Sequence, residues 1–246
     1  MTFKAFIIGI GLTFGLPWVG LVALPYAHFG ALEPVPFDPE ADEIEGVYPM
    51  GEAGIAQEGR AIYRREGCAN CHTQVIRPDY AGMDSFKQAY GKDPESLSPN
   101  FTRQSLPYDY AGHGFALIGQ VRHGPDLSNA GYRRPDPDWH YRHLYDPRSI
   151  HRWSSMPAFR HLFEKRPLQG QIPQGALPLE QDGEVDPGYI IVPTADARAL
   201  VGYLTSLRLP DKVPASLRLP TPQAAAPVVP GGKENIGPAS TGGAPE

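Results

Sequence analysis

Cysteine is scarce in this chain, and that scarcity excludes several kinds of site. Only two cysteines, Cys68 and Cys71, occur among its 246 residues. A structural zinc site usually takes four ligands from two such pairs, and there is no second pair. A thioredoxin-like redox pair would lie in a βαβ pattern that the sequence lacks. A disulfide across two intervening residues would close too short a loop to add much stability.

Positive charge and catalytic constellations are also lacking. The 22 Lys and Arg residues are outnumbered by 27 Asp and Glu residues, which argues against a nucleic-acid partner. No Ser/His/Asp set or carboxylate pair stands out as a catalytic centre, and no internal repeat is visible. Proline and glycine are plentiful, at 28 and 27 residues, so we expect much of the chain to be loop.

The two cysteines stand in the sequence Cys68-Ala69-Asn70-Cys71-His72. The C-x-x-C-H spacing is typical of a c-type haem attachment site. Each thiol can form a thioether to one vinyl group of the same porphyrin, and the adjacent histidine can then supply an axial nitrogen to the iron. The motif therefore predicts one covalently bound haem c.

A second strong signal is the apolar run from Ala5 to Ala27, which contains no charged residue. As a helix it would extend about 34 Å, enough to cross a hydrocarbon core with some tilt. A secretory signal peptide is the competing interpretation. Its apolar core is normally shorter and ends in a small-x-small cleavage site, and the flank from Pro25 to Gly30 is a poor one. We therefore expect an uncleaved, membrane-spanning signal anchor.

The flanking charges predict the orientation of this span. Lys4 precedes it, and only acidic charges follow it as far as Glu45, so the positive-inside rule leaves the rest of the chain outside. Attachment of haem on the outer face of the bacterial inner membrane agrees with that orientation. Within the span, Gly11 and Gly15 form a small surface for a partner helix, and Pro17 would kink the helix.

Composition and periodicity divide the chain into four parts. They are an N-terminal transmembrane anchor at 1–29, an acidic, Pro-rich linker at 30–52, a mono-haem cytochrome c domain at 53–209, and a disordered Pro/Ala/Gly-rich tail at 210–246. We expect a mainly α fold, a class I cytochrome c domain with long irregular loops.

Apolar periodicity predicts three helices in that domain. They cover Ala53 to Arg65, a short stretch opened by Pro137, and a closing helix capped by Thr194. Segments 79–121 and 163–192 show no clear periodicity and are expected to be irregular. A helix, the haem motif, loops and a closing helix follow one another in this order in class I cytochromes c.

Such a domain takes its sixth iron ligand from its far half, and Met156 is the strongest candidate. Pro157 holds the chain extended directly after it, which suits a sulfur held against iron. The other methionines are Met1 on the wrong side of the membrane, Met50 ahead of the first helix, and Met83 close after the haem motif. The alternatives are a core-filling role for Met156 and ligation by His151 or His123.

Two arginines are candidates for contacts with a haem propionate or with another subunit. Arg77 lies soon after the haem motif, next to Pro78, and Arg122 stands just before the Gly124-Pro125 turn. A guanidinium group suits a carboxylate partner in either setting. The alternative for each is an ordinary surface arginine.

Tyr63 to Pro78, which reads YRREGCANCHTQVIRP, closely resembles the haem segment of a known family. That family is the mono-haem, FixO-like subunit II of cbb3-type cytochrome c oxidases. The extension Gln74-x-Ile76-Arg77-Pro78 is distinctive of it. Further similar blocks are Gly124-Pro125-Asp126-Leu127, Asp138-Trp139-His140, His143-Leu144, Asp146-Pro147-Arg148 and Ser155-Met156-Pro157. The resemblance covers roughly 1–209 and is strongest in 51–78 and 119–163.

The resemblance implies a non-catalytic electron-transfer subunit, held by one helix against a haem-copper catalytic subunit. Its axial ligands would be His72 and Met156. Its haem would relay single electrons from a di-haem cytochrome c subunit or a soluble cytochrome c toward the oxygen-reducing centre. Segments 79–121, 163–192 and the tail depart from the family pattern, which leaves the docking surface and the donor open.

Two other functions compete with this one. A membrane-anchored cytochrome c of another respiratory complex, such as nitric oxide reductase or a cytochrome bc complex, would not need the Gln74 to Pro78 extension. A haem sensor would favour an open sixth position, against a Met156 ligand.

Covalent attachment is directly testable. Haem should remain with the polypeptide on a denaturing gel, because thioethers from Cys68 and Cys71 survive denaturation. The double variant Cys68→Ala/Cys71→Ala should lose all haem staining, whereas each single variant keeps one possible thioether. Haem that runs free of the unaltered protein would contradict the prediction.

Overall fold

The computed structural model describes residues 2–52, 54–87, 90, 102–177 and 188–218. Its α-helices are α1 (Phe3–Trp18), α2 (Leu24–Gly30), α3 (Pro39–Asp42), α4 (Ile55–Arg65), α5 (Ala130–Arg133), α6 (Pro137–Tyr145), α7 (Pro147–Ile150) and α8 (Ala195–Ser206). Its strands are β1 (Val35–Pro36), β2 (Val47–Tyr48), β3 (Phe163–Pro167) and β4 (Tyr189–Pro193). About 45% of the structure is helical, so the chain is mainly α.

The N-terminal helix runs without a break from Phe3 to Gly30, through a π-helical segment at Val19–Ala23. That segment lies between Pro17 and Pro25, each of which lacks the N–H group that the helical ladder needs. None of the helix is buried against the described part of the chain. Among the described residues it is the one helix long and apolar enough to cross a membrane, a test that a signal sequence also passes.

The segment predicted as a linker, 30–52, has structure of its own. Strands β1 and β2 pair antiparallel, with Val35 opposite Tyr48. Tyr48 is only 2% exposed, and its hydroxyl contacts Asp109 and Arg103. The segment therefore packs on the body of the protein.

The first residues of the predicted tail are packed as well. Val213 is buried, and the backbone N–H of Ala215 donates to the Asp42 carboxylate at 2.9 Å. Arg218 donates to the same carboxylate at 2.6 Å. Residues 219–246 lie outside the described part of the chain.

The centre of the fold is the crossing of α4 and α8, the two predicted helices that bracket the domain. Gly59 lies so close to α8 that a Cβ atom there would stand 1.9 Å from the carbonyl oxygen of Ala199. The rings of Tyr63 and Tyr203 meet edge to face, 5.4 Å between centroids, and both are at most 1% exposed. Thr194 caps α8 as predicted, because its Oγ accepts the N–H of Ala197.

Buried apolar side chains from both sides of this crossing form one core cluster. Its members are Ile62, Tyr63, Leu117, Tyr141, Leu144, Leu162, Phe163, Leu177, Ile191, Ala197, Ala199, Leu200, Val201, Tyr203 and Leu204.

The expectation of an irregular segment at 163–192 is wrong in part. Strands β3 and β4 form an antiparallel pair from Phe163 opposite Pro193 to Pro167 opposite Tyr189. Ile191 and Val192 are β-branched and buried, which suits a strand. The pairing was missed because more than twenty residues, rich in proline and glycine, separate the two strands, and no short turn signal joins them.

The helix crossing predicts a strong effect at one glycine. Gly59→Ala should lower the free energy of unfolding by about 3 kcal/mol, because the added methyl group meets the backbone of α8, which cannot move aside. This cost exceeds the gain of about 1 kcal/mol in helix propensity. Denaturant unfolding followed by circular dichroism measures it.

Gly51→Ala is the matched control, because a Cβ atom at Gly51 would meet nothing within 4 Å in the described part of the chain. Its effect should stay below about 0.5 kcal/mol. Equal stability of the two variants would contradict the close crossing.

Candidate haem site

The haem motif follows directly from the end of α4. Gly67 adopts a left-handed conformation (φ 73°) that stops the helix, and a 3-10 turn, Cys68–Asn70, comes next. The backbone N–H of His72 then donates to the carbonyl of Cys68 at 3.0 Å. One tight turn thus carries both thiols and the imidazole.

The ring of His72 is fixed by the segment that contains Pro125. Its Nδ1 lies 2.8 Å from the carbonyl oxygen of Pro125. Because a carbonyl only accepts, Nδ1 carries the hydrogen and Nε2 is left with its lone pair for a metal. Burial lowers the pKa of His72, against the opposing effect of the Pro125 bond, and so favours this neutral form. A Cβ atom at Gly124 would stand 2.1 Å from the ring, so the ring packs directly on glycine backbone.

Asp126 joins the two segments that make this contact. Its fully buried carboxylate accepts the Thr73 hydroxyl at 2.6 Å, the Val75 N–H at 2.9 Å and the Ser128 N–H at 2.8 Å. A buried carboxylate needs such partners, and these hold the Pro125 segment against the haem motif. Sequence analysis did not single out Asp126 as a site residue, although it stands in the Gly-Pro-Asp-Leu block.

Cys68 and Met156 share one apolar environment. Both are partly buried and pack against the core cluster. Burial raises the pKa of the Cys68 thiol to about 12, so the thiol is neutral. The side-chain sulfur of Met156 is a soft donor atom, and it lies beside this apolar cluster, which suits haem iron.

Exposure separates Met156 from the other candidates for the sixth ligand. Met50 is 81% exposed and Met83 is 63% exposed, whereas Met156 is half-buried against the core cluster. His123 and His151 are exposed. Met1 lies outside the described residues. The geometry therefore favours Met156, which remains a prediction.

Taken together, these residues fit a c-type haem. Cys68 and Cys71 are both free thiols. His72 presents Nε2 from a fixed ring, and Met156 lies against the same apolar cluster as Cys68.

The model of a known family matches residues 21–179, well over half of the chain. Its description is the mono-haem subunit of cytochrome c oxidase, FixO. This chain belongs to the FixO family. A comparison with curated proteins gives no match. The resemblance seen in the sequence is thereby confirmed, and the family favours cytochrome c oxidase over nitric oxide reductase or a cytochrome bc complex. The matched region contains the haem motif, Met156 and strand β3.

The structure of this FixO-family chain gives both candidate arginines an internal partner. Asp84 is fully buried, and its carboxylate accepts Arg77 Nε at 3.0 Å and Arg122 at 2.8 Å. Burial alone would raise the pKa of Asp84, but hydrogen bonds from the two arginines outweigh it and hold that pKa well below its usual range. A contact of either arginine with a propionate or another subunit stays a prediction. Arg77 is the better placed, with 44% of its side chain exposed against 16% for Arg122.

His143 is a site neighbour that the sequence analysis did not select. Burial, helped by the nearby His151, His140 and His72, lowers its pKa to about 4. Its ring stacks on Trp139 with centroids 4.7 Å apart. Its buried Nδ1 has no hydrogen-bond partner among the described residues. His143 could have been found from the sequence, because it lies one turn after Trp139 on α6, within a block that resembles the family.

Ligation by Met156 can be tested on the oxidised protein. Met156→Ala should abolish the sulfur-to-iron charge-transfer band and lower the reduction potential, because a thioether favours ferrous iron. Absorption spectra and a redox titration measure both. Met83→Ala, at an exposed methionine, should change neither. An unchanged spectrum in Met156→Ala would move the ligand to a histidine, with His151 the next to replace.

Proposed function

We propose that this FixO-family subunit relays single electrons to the haem-copper catalytic subunit of a cbb3-type cytochrome c oxidase. The family supports the assignment to a mono-haem oxidase subunit. The observation that carries the finer proposal is the fixed His72 ring, hydrogen-bonded to Pro125 and adjacent to two free thiols. That arrangement suits permanent haem attachment.

Each site residue then has one role. Cys68 and Cys71 would attach the haem covalently, and His72 and Met156 would supply ligands to its iron. Bound haem would supply one-electron exchange at its iron. The bond to Pro125 keeps His72 neutral and oriented, and the core cluster keeps water from the apolar side of the site. The protein would thus provide ligands for the iron, an apolar environment for the haem and a path for the electron.

The helix Phe3–Gly30 would anchor the subunit in the bacterial inner membrane, with the haem domain on the periplasmic side. The flanking charges support this orientation, and the apolar surface of the helix supports the anchor. A Cβ atom at Gly11 or Gly15 would meet nothing within 4 Å among the described residues. Those glycines are therefore open to a helix of the catalytic subunit. A di-haem cytochrome c subunit or a soluble cytochrome c would supply the electrons.

The proposal predicts co-purification. In mild detergent the chain should be recovered with a many-helix subunit that contains haem and copper. Gly11→Leu/Gly15→Leu should weaken that assembly, because leucine side chains push the partner helix away. Gly30→Leu, at the end of the helix, is the matched control and should assemble normally. High salt should not disperse a contact made by packing.

Electron transfer is tested separately. His72→Ala should leave an assembled or partly assembled complex that no longer accepts electrons from reduced cytochrome c. Two results together would contradict the proposal. The protein would be recovered as a lone monomer, and deleting its gene would leave oxygen consumption by the membranes unchanged.

A further inference from the structure

Trp153 is a large aromatic side chain that lies almost entirely in solvent. It is 90% exposed and stands three residues before Met156. The guanidinium group of Arg152 lies 5.6 Å from its ring centroid. Exposing an indole ring to water is unfavourable, and tryptophan is often among the residues that contribute most of the binding free energy in a protein interface.

The turn that presents Trp153 is the one that carries Met156. The Ser154 N–H donates to the carbonyl of His151 at 2.8 Å, and the Met156 N–H contacts the Ser154 hydroxyl at 3.2 Å. These local hydrogen bonds hold the exposed indole and the candidate iron ligand in one short structure. A protein bound over the indole would therefore lie close to the haem.

The charge around this turn is unlike that of the whole chain. Residues 147–163 contain three arginines, two histidines and no Asp or Glu, whereas the chain carries a net charge of −5. Arg148 and Arg152 are exposed. Glu66 contacts His161 at 2.8 Å, so the exposed positive charge beside the indole is that of Arg152, with Arg148 four residues before it. A partner with an acidic surface is attracted here and repelled by most of the remaining protein.

We propose that Trp153, with Arg148 and Arg152, forms the docking surface for a dissociable electron donor with an acidic surface. We call it the Trp153 surface: Arg148, His151, Arg152 and Trp153. The inference rests on the proposed function, whose donor it describes. Permanent interfaces are depleted in charged residues at their centre. A single exposed indole beside an exposed arginine instead suits a partner that binds, transfers an electron and leaves.

The test uses the assembled oxidase and a reduced c-type cytochrome with an acidic surface. Trp153→Ala should raise both the KM and the Kd for this donor about tenfold, with kcat unchanged, because the indole contributes to binding only. Arg152→Glu should raise both by a similar factor at low ionic strength. The effect of Arg152→Glu should shrink as salt screens the charges.

Matched controls are available in the same chain. Tyr80→Ala removes an aromatic side chain that is 93% exposed on another loop. Lys212→Glu makes the same change of charge at a side chain that is 59% exposed, beside the 30–52 segment. Both should change KM and Kd by less than about twofold. The charge-transfer band and potential of Trp153→Ala should match those of the unaltered protein, which shows that Met156 is undisturbed.

A basic c-type cytochrome of similar potential provides the comparison donor. It should bind weakly, and Arg152→Glu should not weaken its binding further. An unchanged Kd for the acidic donor in Trp153→Ala would overturn the proposal. Loss of the catalytic subunit from Trp153→Ala would overturn it too, because the surface would then belong to the permanent interface.

Failure of the proposed function would look different. Turnover unaffected by His72→Ala would contradict the electron relay. The Kd measurements need no turnover, so they decide the docking surface in either case.

Discussion

The contact of α4 with α8 at Gly59 is the constraint on which the rest of the structure depends. Absence of a side chain at Gly59 lets the two helix backbones approach, and Tyr63 and Tyr203 then fill the space beside the crossing. Burial of each large apolar side chain contributes about 1.5–3 kcal/mol, so the cluster around this crossing is a main source of stability. Because the haem motif begins three residues after α4 ends, the crossing also sets where both thiols stand.

A buried carboxylate links that placement to the orientation of His72. Asp126 has no access to water, and a charge in that position must be met by hydrogen bonds. Thr73 and Val75, just after the haem motif, donate two of these hydrogen bonds, and Ser128 on the same loop as Asp126 donates the third. Satisfying one charge thereby brings the Pro125 carbonyl to His72, and the imidazole is oriented before any metal is bound.

The positive charges of the chain fall into two groups with different consequences. Arg77 and Arg122 both form ion pairs with the buried carboxylate of Asp84, which offsets much of their positive charge. Arg148 and Arg152 stand in a segment, 147–163, that contains no acidic residue, and both are exposed. The first group stabilises the loop after the haem motif, and the second shapes the electrostatic field over the Met156 turn.

The sequence by itself determined the features that depend on neighbouring residues. The C-x-x-C-H spacing, the apolar run, the helices ending at Arg65 and capped at Thr194, and the family resemblance are all readable over short stretches. Met156 is also a local prediction, made through Pro157; it packs partly buried against the core cluster, and its ligation stays a prediction. These features need no knowledge of the path of the chain.

Tertiary structure alone decided what joins distant segments. His72 and Pro125 are 53 residues apart, as are Thr73 and Asp126, and no local sequence pattern predicts either contact. The β3 and β4 pairing, the packing of 30–52 and 210–218 on the body, and the shared Asp84 partner of two arginines are of the same kind. Such contacts form only where the packed core has already brought two segments together, because the free energy that fixes them comes from burial and not from the sequence on either side.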